Sequence, residues 1–111
     1  MPDRPEIVCI CGSTRFVDEM SAANRELTFA GAIVVAPGVF PRAEDHEVGE
    51  LITEEQKTAL SALHLRKIDL ADRVLVVNPG GYVGESTSRE IAYAQATGKP
   101  VSFTHPLRCT G

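Results

Sequence analysis

Apolar residues along this chain gather into short unbroken runs, separated by stretches in which they recur at helical spacing. Ile7 to Cys11 is one such run, bounded by Pro5 and Gly12; Ala32 to Ala36 is another, closed by Pro37-Gly38. Val74 to Val77 and Val101-Ser102-Phe103 complete the set. Runs that are apolar throughout, rather than alternating, suit strands covered on both faces, as in a parallel sheet. Between the first two, Phe16, Met20, Ala23, Leu27 and Ala30 draw one apolar stripe at steps of three and four, and Gly31 ends it. Thr53-Glu54-Glu55-Gln56 has the form of a capping box and opens a second helix through Leu60 and Leu63 to about Asp69. Thr87 to Thr97 forms a third, closed by Gly98 with Pro100 just beyond.

Strand, helix, strand in this order predicts right-handed βαβ units. The whole chain, residues 1–111, reads as a single doubly wound α/β domain of the Rossmann or flavodoxin type. Its four parallel strands take the expected order 2-1-3-4, with the crevice at the carboxyl ends of the first and third strands. From Gly38 to Ile52 the chain turns polar and acidic, and this loop is longer than the connection requires, which suits a lid.

Composition narrows the function classes. At 111 residues with 43% hydrophobic side chains there is room for one core only. Eleven basic against fifteen acidic residues, a net charge of −4, argue against a protein that grips a nucleic acid polymer through its phosphates. No run approaches the ~20 apolar residues of a membrane helix, and the charged first residues lack the layout of a secretory signal, so a cytoplasmic protein is expected. Three cysteines make no disulfide framework. Cys9 and Cys11 share a strand face, as metal ligands would, but no histidine or cysteine close in sequence completes a set; His46, His64 and His105 are scattered, and no metal site is expected.

Chemistry concentrates after the first and third strands. Gly12-Ser13-Thr14-Arg15 follows the first: Gly12 permits close approach, Ser13 and the succeeding N–H groups can donate, and Arg15 can pair with a phosphate. The same residues also read as a glycine turn, a serine cap and a solvated arginine, and spacing does not separate the two. After the third strand, the glycine loop 80–84 leads into hydroxyls and a carboxylate, Ser86, Thr87, Ser88 and Glu90. Glu90 stands at the capping-box position of Thr87-Ser88-Arg89-Glu90, so backbone capping competes with catalysis as its role. Asp72 begins the third strand, at the wrong end for the crevice. His64 and Lys67 share a helical face and read as surface or packing residues.

CGSTRF (11–16), DLADRVLVVNPGGYVGES (69–86) and STSREIAYAQATGKPV (86–101) together resemble the nucleoside 2-deoxyribosyltransferase superfamily. The first loop is most similar to that of 2'-deoxynucleoside 5'-phosphate N-hydrolases, whose matching Cys-Gly-Ser-x-Arg segment binds the 5'-phosphate. The resemblance implies Glu90 as nucleophile and Asp72 as its companion aspartate. It implies substrate contacts from Gly12, Ser13, Thr14, Arg15, Gly84, Ser86 and Ser88, no cofactor, a nucleotide or nucleoside substrate, and a homodimer. Ala92 stands where the family commonly has glycine, and Ser86-Thr87-Ser88 replaces its glycine-containing approach to the glutamate. Cleavage of a nucleoside 5'-monophosphate, base exchange between deoxynucleosides, and nucleotide sensing without turnover all fit these residues.

Overall fold

The computed structural model describes residues 4–36 and 54–106. The loop expected to act as a lid, the capping residue Thr53, His46 and Cys109 lie outside them. Among the described residues the order is β1 (Ile7–Gly12), a 3-10 turn (Thr14–Phe16), α1 (Val17–Phe29), β2 (Ile33–Val35), α2 (Glu54–Leu70), β3 (Arg73–Val77), a 3-10 turn (Pro79–Gly81), α3 (Glu85–Ala96) and β4 (Val101–Phe103). The strands form one parallel sheet in the order β2-β1-β3-β4. That is the expected α/β topology, 2-1-3-4.

Pleating divides the central strands between two cores. Cys9 and Cys11 of β1 and Val74 and Val76 of β3 face α2 and α3, where Leu65, Ile68, Ile91 and Ala94 meet them. On the opposite face Ile10 and Val77 pack against Met20 of α1, with Phe16, Ala23 and Leu27 around it. Ile10, Ile68, Val74 and Val76 are wholly buried, and each such side chain contributes about 1.5–3 kcal/mol relative to exposure. Helices on both faces explain why these strands carry no polar alternation. Of the stripe expected for α1, Ala30 falls at the C-cap and is exposed, because Gly31 takes a left-handed φ of 97° there and turns the chain toward β2.

The sheet's two ends are fastened differently. At the amino ends of β1 and β3, Asp72 accepts hydrogen bonds from both terminal nitrogens of Arg4 (2.8 and 2.9 Å) and from the Ile7 N–H (2.8 Å). At the carboxyl ends, buried Asn78 holds the segment after β4. Its Nδ2 donates to the His105 carbonyl, and its Oδ1 accepts from the His105 N–H, both at 2.9 Å, and from the Thr104 hydroxyl at 3.2 Å. Lys99 joins α2 to the start of β4 by donating to the carbonyls of Asp69 and Ala71 (3.1 and 2.7 Å).

Candidate functional site

Where α3 begins decides how Glu90 is read. The sequence predicts a start at Thr87 and a capping box with Glu90 as its fourth member. The helix instead starts at Glu85, with Gly84 as its cap residue and the Ser88 N–H donating to the Gly84 carbonyl at 2.9 Å. This moves Glu90 into the second turn, out of reach of the cap, and leaves Thr87 buried inside the helix. The capping role is removed by geometry.

Glu90 faces inward. Its carboxyl oxygen Oε1 lies 3.7 Å from His64 Nε2, and the two side chains are 17% and 7% exposed. The same imidazole nitrogen is 3.2 Å from Cys11 Sγ and 3.8 Å from Cys9 Sγ. His64, which the sequence pattern suggests is a surface or packing residue, is therefore the direct partner of the candidate nucleophile. Its spacing of 26 residues from Glu90 carries no local signal; only the packing of α2 beside α3 joins them. Cys9, Cys11 and His64 bring their donor atoms within 4.8 Å of one another, so folding supplies the histidine that is missing near the cysteine pair in sequence.

The first loop carries the glycine turn and the serine cap. Ser13 caps the 3-10 turn, its Oγ accepting from the Arg15 N–H at 3.3 Å, and Thr14 opens that turn. Gly12 is needed by the sheet itself: a Cβ there would lie 2.9 Å from the Val77 carbonyl oxygen and 3.2 Å from Met20 Sδ. Arg15 is exposed, with its guanidinium 4.4 Å over the ring of Tyr82. Phe16 meets the same ring edge-on at 5.9 Å. The Tyr82 hydroxyl would be 3.2 Å from a Cβ on Gly84. Tyr82 thus fastens the loop after β1 to the loop after β3, bringing Arg15 beside the cap of α3. Sequence pattern assigns this tyrosine no role; an aromatic ring directly after the Gly80-Gly81 turn is the one signal it offers.

Ser86 and Ser88 are exposed in the first turn of α3, and Arg89 reaches the Ser86 hydroxyl at 3.5 Å. Asp72 is elsewhere. Its carboxylate is engaged by Arg4 and Ile7, and Ile7 is five residues along β1 from Gly12, a separation of roughly 16 Å. The structure does not bring Asp72 to Glu90, because β3 runs its full length between them.

No protein-family model matches the chain, and no curated protein sequence does. Among solved structures, a 2-deoxyribosyltransferase from the psychrotolerant bacterium Bacillus psychrosaccharolyticus is similar with a TM-score of 0.63. The similarity spans 92% of this chain and 77% of that one at 18% sequence identity. The fold is nucleoside deoxyribosyltransferase-like.

On this deoxyribosyltransferase-like fold the buried cluster has unusual electrostatics. Burial raises the Glu90 carboxyl above its ordinary value, against the pull of His64 and of a hydrogen bond with Cys11. Burial would lower His64, but hydrogen bonding with Cys9 and the charge of Glu90 outweigh it, and the imidazole is raised. Cys9 and Cys11 share one proton environment: the neighbouring sulfur and burial push the Cys11 thiol far up, while Cys11 pulls Cys9 down. A carboxyl, an imidazole and a thiol pair so arranged can hold a proton between them, orient one carboxylate oxygen, or coordinate a cation.

Proposed function

We propose that this chain cleaves the base–sugar bond of nucleoside 5'-monophosphates with Glu90 as nucleophile. The observation that carries the reading is the largely buried Glu90 carboxyl, paired with His64 beside the carboxyl end of β1, on a nucleoside deoxyribosyltransferase-like fold. Open α/β sheets take their ligands at this end. A carboxylate oxygen attacks the anomeric carbon as the bond to the base breaks through an oxocarbenium-like transition state. The departing base takes its proton from solvent, which regains one when water adds to the sugar. Water then attacks the same carbon, restoring the carboxylate and releasing the sugar phosphate. His64, on one side of the carboxyl, positions it and offsets its charge when it re-forms.

Phosphate recognition falls to Arg15, with Ser13 and Thr14 beside it and the first turn of α3, from Gly84 through Ser86 to Ser88, opposite. Stacking on Tyr82 fixes the plane of the Arg15 guanidinium and leaves its N–H edge for a phosphate. The N–H groups of a helix start favour an anion as well. Asp72, held by Arg4 and the Ile7 N–H at the far end of the sheet, is given no step in this reading. Free nucleotides in the cytoplasm, a homodimer, and chemistry that needs no cofactor complete the proposal. Among the described residues no helix is long and apolar enough to cross a membrane.

The test follows free base by chromatography from a panel of nucleosides and their 5'-monophosphates, with and without an added acceptor base. Release from monophosphates without acceptor is expected, and Glu90→Gln should lower kcat by on the order of 10³-fold or more. Loss of donor only when acceptor is present would assign base exchange instead. Binding without turnover would assign a nucleotide sensor, and cleavage indifferent to Glu90→Gln would overturn the nucleophile.

A further inference from the structure

Cleavage of a glycosidic bond by a carboxylate makes no use of thiols, yet two stand directly behind Glu90. Cys9 and Cys11 are wholly buried on one face of β1, and His64 reaches them from α2. We propose that Cys9, Cys11 and His64, with Glu90 as fourth donor, form a binding site for a thiophilic divalent cation of the zinc class. This site goes beyond the glycosidase reading, shares Glu90 and His64 with it, and is tested without any substrate.

The distances suit the ion. With Zn–S near 2.3 Å and Zn–N near 2.0–2.1 Å, tetrahedral ligation sets sulfur and nitrogen about 3.6 Å apart and two sulfurs about 3.8 Å apart. The observed Sγ to Nε2 separations are 3.2 and 3.8 Å, and the three donor atoms lie within 4.8 Å of one another. Glu90 Oε1 lies 3.7 Å from the same imidazole nitrogen but outside the cluster of three donors, so its carboxyl must turn toward the ion to complete the set. Two residues apart on a strand, the thiols project to the same face, so no backbone movement is needed to present both. The donor set of two sulfurs, one imidazole and one carboxylate is the soft-to-borderline mixture that zinc takes and that magnesium or calcium avoids. Lys67, one turn beyond His64 and bonded to the Ala36 carbonyl at 2.9 Å, adds positive charge beside a site whose ligands are mostly anionic when metal-bound. Glu90, at 17% exposure, is more accessible than His64 at 7%.

The competing arrangement is a metal-free, hydrogen-bonded cluster, and metal binding separates the two without any substrate. Full-length protein carrying Cys109→Ser is freed of metal under reducing conditions and titrated with Co²⁺ alone and then with Zn²⁺ alone. Expected are one ion per chain, a thiolate-to-cobalt charge-transfer band that zinc bleaches, and a melting temperature raised by zinc. Cys11→Ala and His64→Gln should lose the stoichiometric band, and Glu90→Gln should keep it with affinity lower by roughly tenfold or more. The parent cobalt spectrum decides by itself whether thiolates bind, so a variant that fails to fold does not alter the outcome. Absence of that band at stoichiometric cobalt, or its survival when Cys9 and Cys11 are both serine, would overturn the site. A bound ion would occupy the Glu90 carboxylate and the His64 nitrogen that the glycosidase reading uses, so stoichiometric zinc should also inhibit base release, whereas the cobalt spectrum is read without substrate and stands whether or not a nucleotide is cleaved.

Discussion

Gly12→Ala separates two reasons for a glycine in the first loop. If glycine is there to admit a phosphate, alanine will impair binding and leave the fold alone. The structure demands something else, because the added Cβ would lie 2.9 Å from the Val77 carbonyl oxygen, closer than such atoms approach. Gly12 is paired in register with Val77, at the carboxyl end of the β1–β3 ladder, so this oxygen belongs to backbone that can yield only if the strands separate locally. Met20 Sδ, the other close atom at 3.2 Å, ends a flexible side chain and can swing aside. Overpacking against a fixed wall costs about 1–3 kcal/mol, which for a domain near this size lowers the melting temperature by roughly 4–15 °C. Thermal unfolding followed by circular dichroism reads this directly. Shortening Met20 in the same chain should not restore stability, since the limiting contact is with backbone. A Gly12→Ala protein that melts with the parent while losing nucleotide affinity would refute the packing reasoning and return the glycine to the ligand.

Three further outcomes follow from named contacts. Arg15→Ala should weaken nucleoside 5'-monophosphates by roughly 10- to 100-fold while leaving the bare nucleosides nearly unchanged; calorimetric titration of both ligand classes checks it, and equal losses would dismiss the phosphate role. Asn78→Leu strips partners from the His105 N–H and carbonyl and from Thr104, and denaturant unfolding should show a loss of about 1–3 kcal/mol. Asp72 is held below its ordinary carboxylate range, first by the hydrogen bonds from Arg4 and then by the Ile7 N–H. Its contribution is thus present above pH 3.8 and lost as pH falls below that value toward the folded-state pKa. Stability measured from about pH 5 downward should fall less steeply in Asp72→Asn than in the parent, and identical slopes would show that the clamp does not report on folding.

Local pattern alone was enough for the frame of this molecule. Buried parallel strands must be apolar on both faces, and helices between them must be apolar on one. The runs 7–11, 32–36, 74–77 and 101–103, with Gly31 and Gly98 as stops, therefore led to the strand order and to the end of the sheet that carries Arg15 and Glu90. The start of α3 lies two residues before the expected one because Thr87 has the chemistry of a cap, whereas Gly84 serves as cap residue without any side chain. Contacts between distant segments were beyond reach. His64 meets Cys11 across 53 positions and Glu90 across 26, and neither helical nor strand periodicity says which residue of α2 will abut which residue of α3 or β1. Tyr82 links two loops for the same reason. Whether Asp72 shares a pocket with Glu90 is likewise a question of which end of a strand each occupies, and the structure sets Asp72 at the amino end, beside Arg4. Periodicity specifies which face of an element is buried; packing in three dimensions specifies what that face meets, and the chemistry proposed for Glu90 rests on the second.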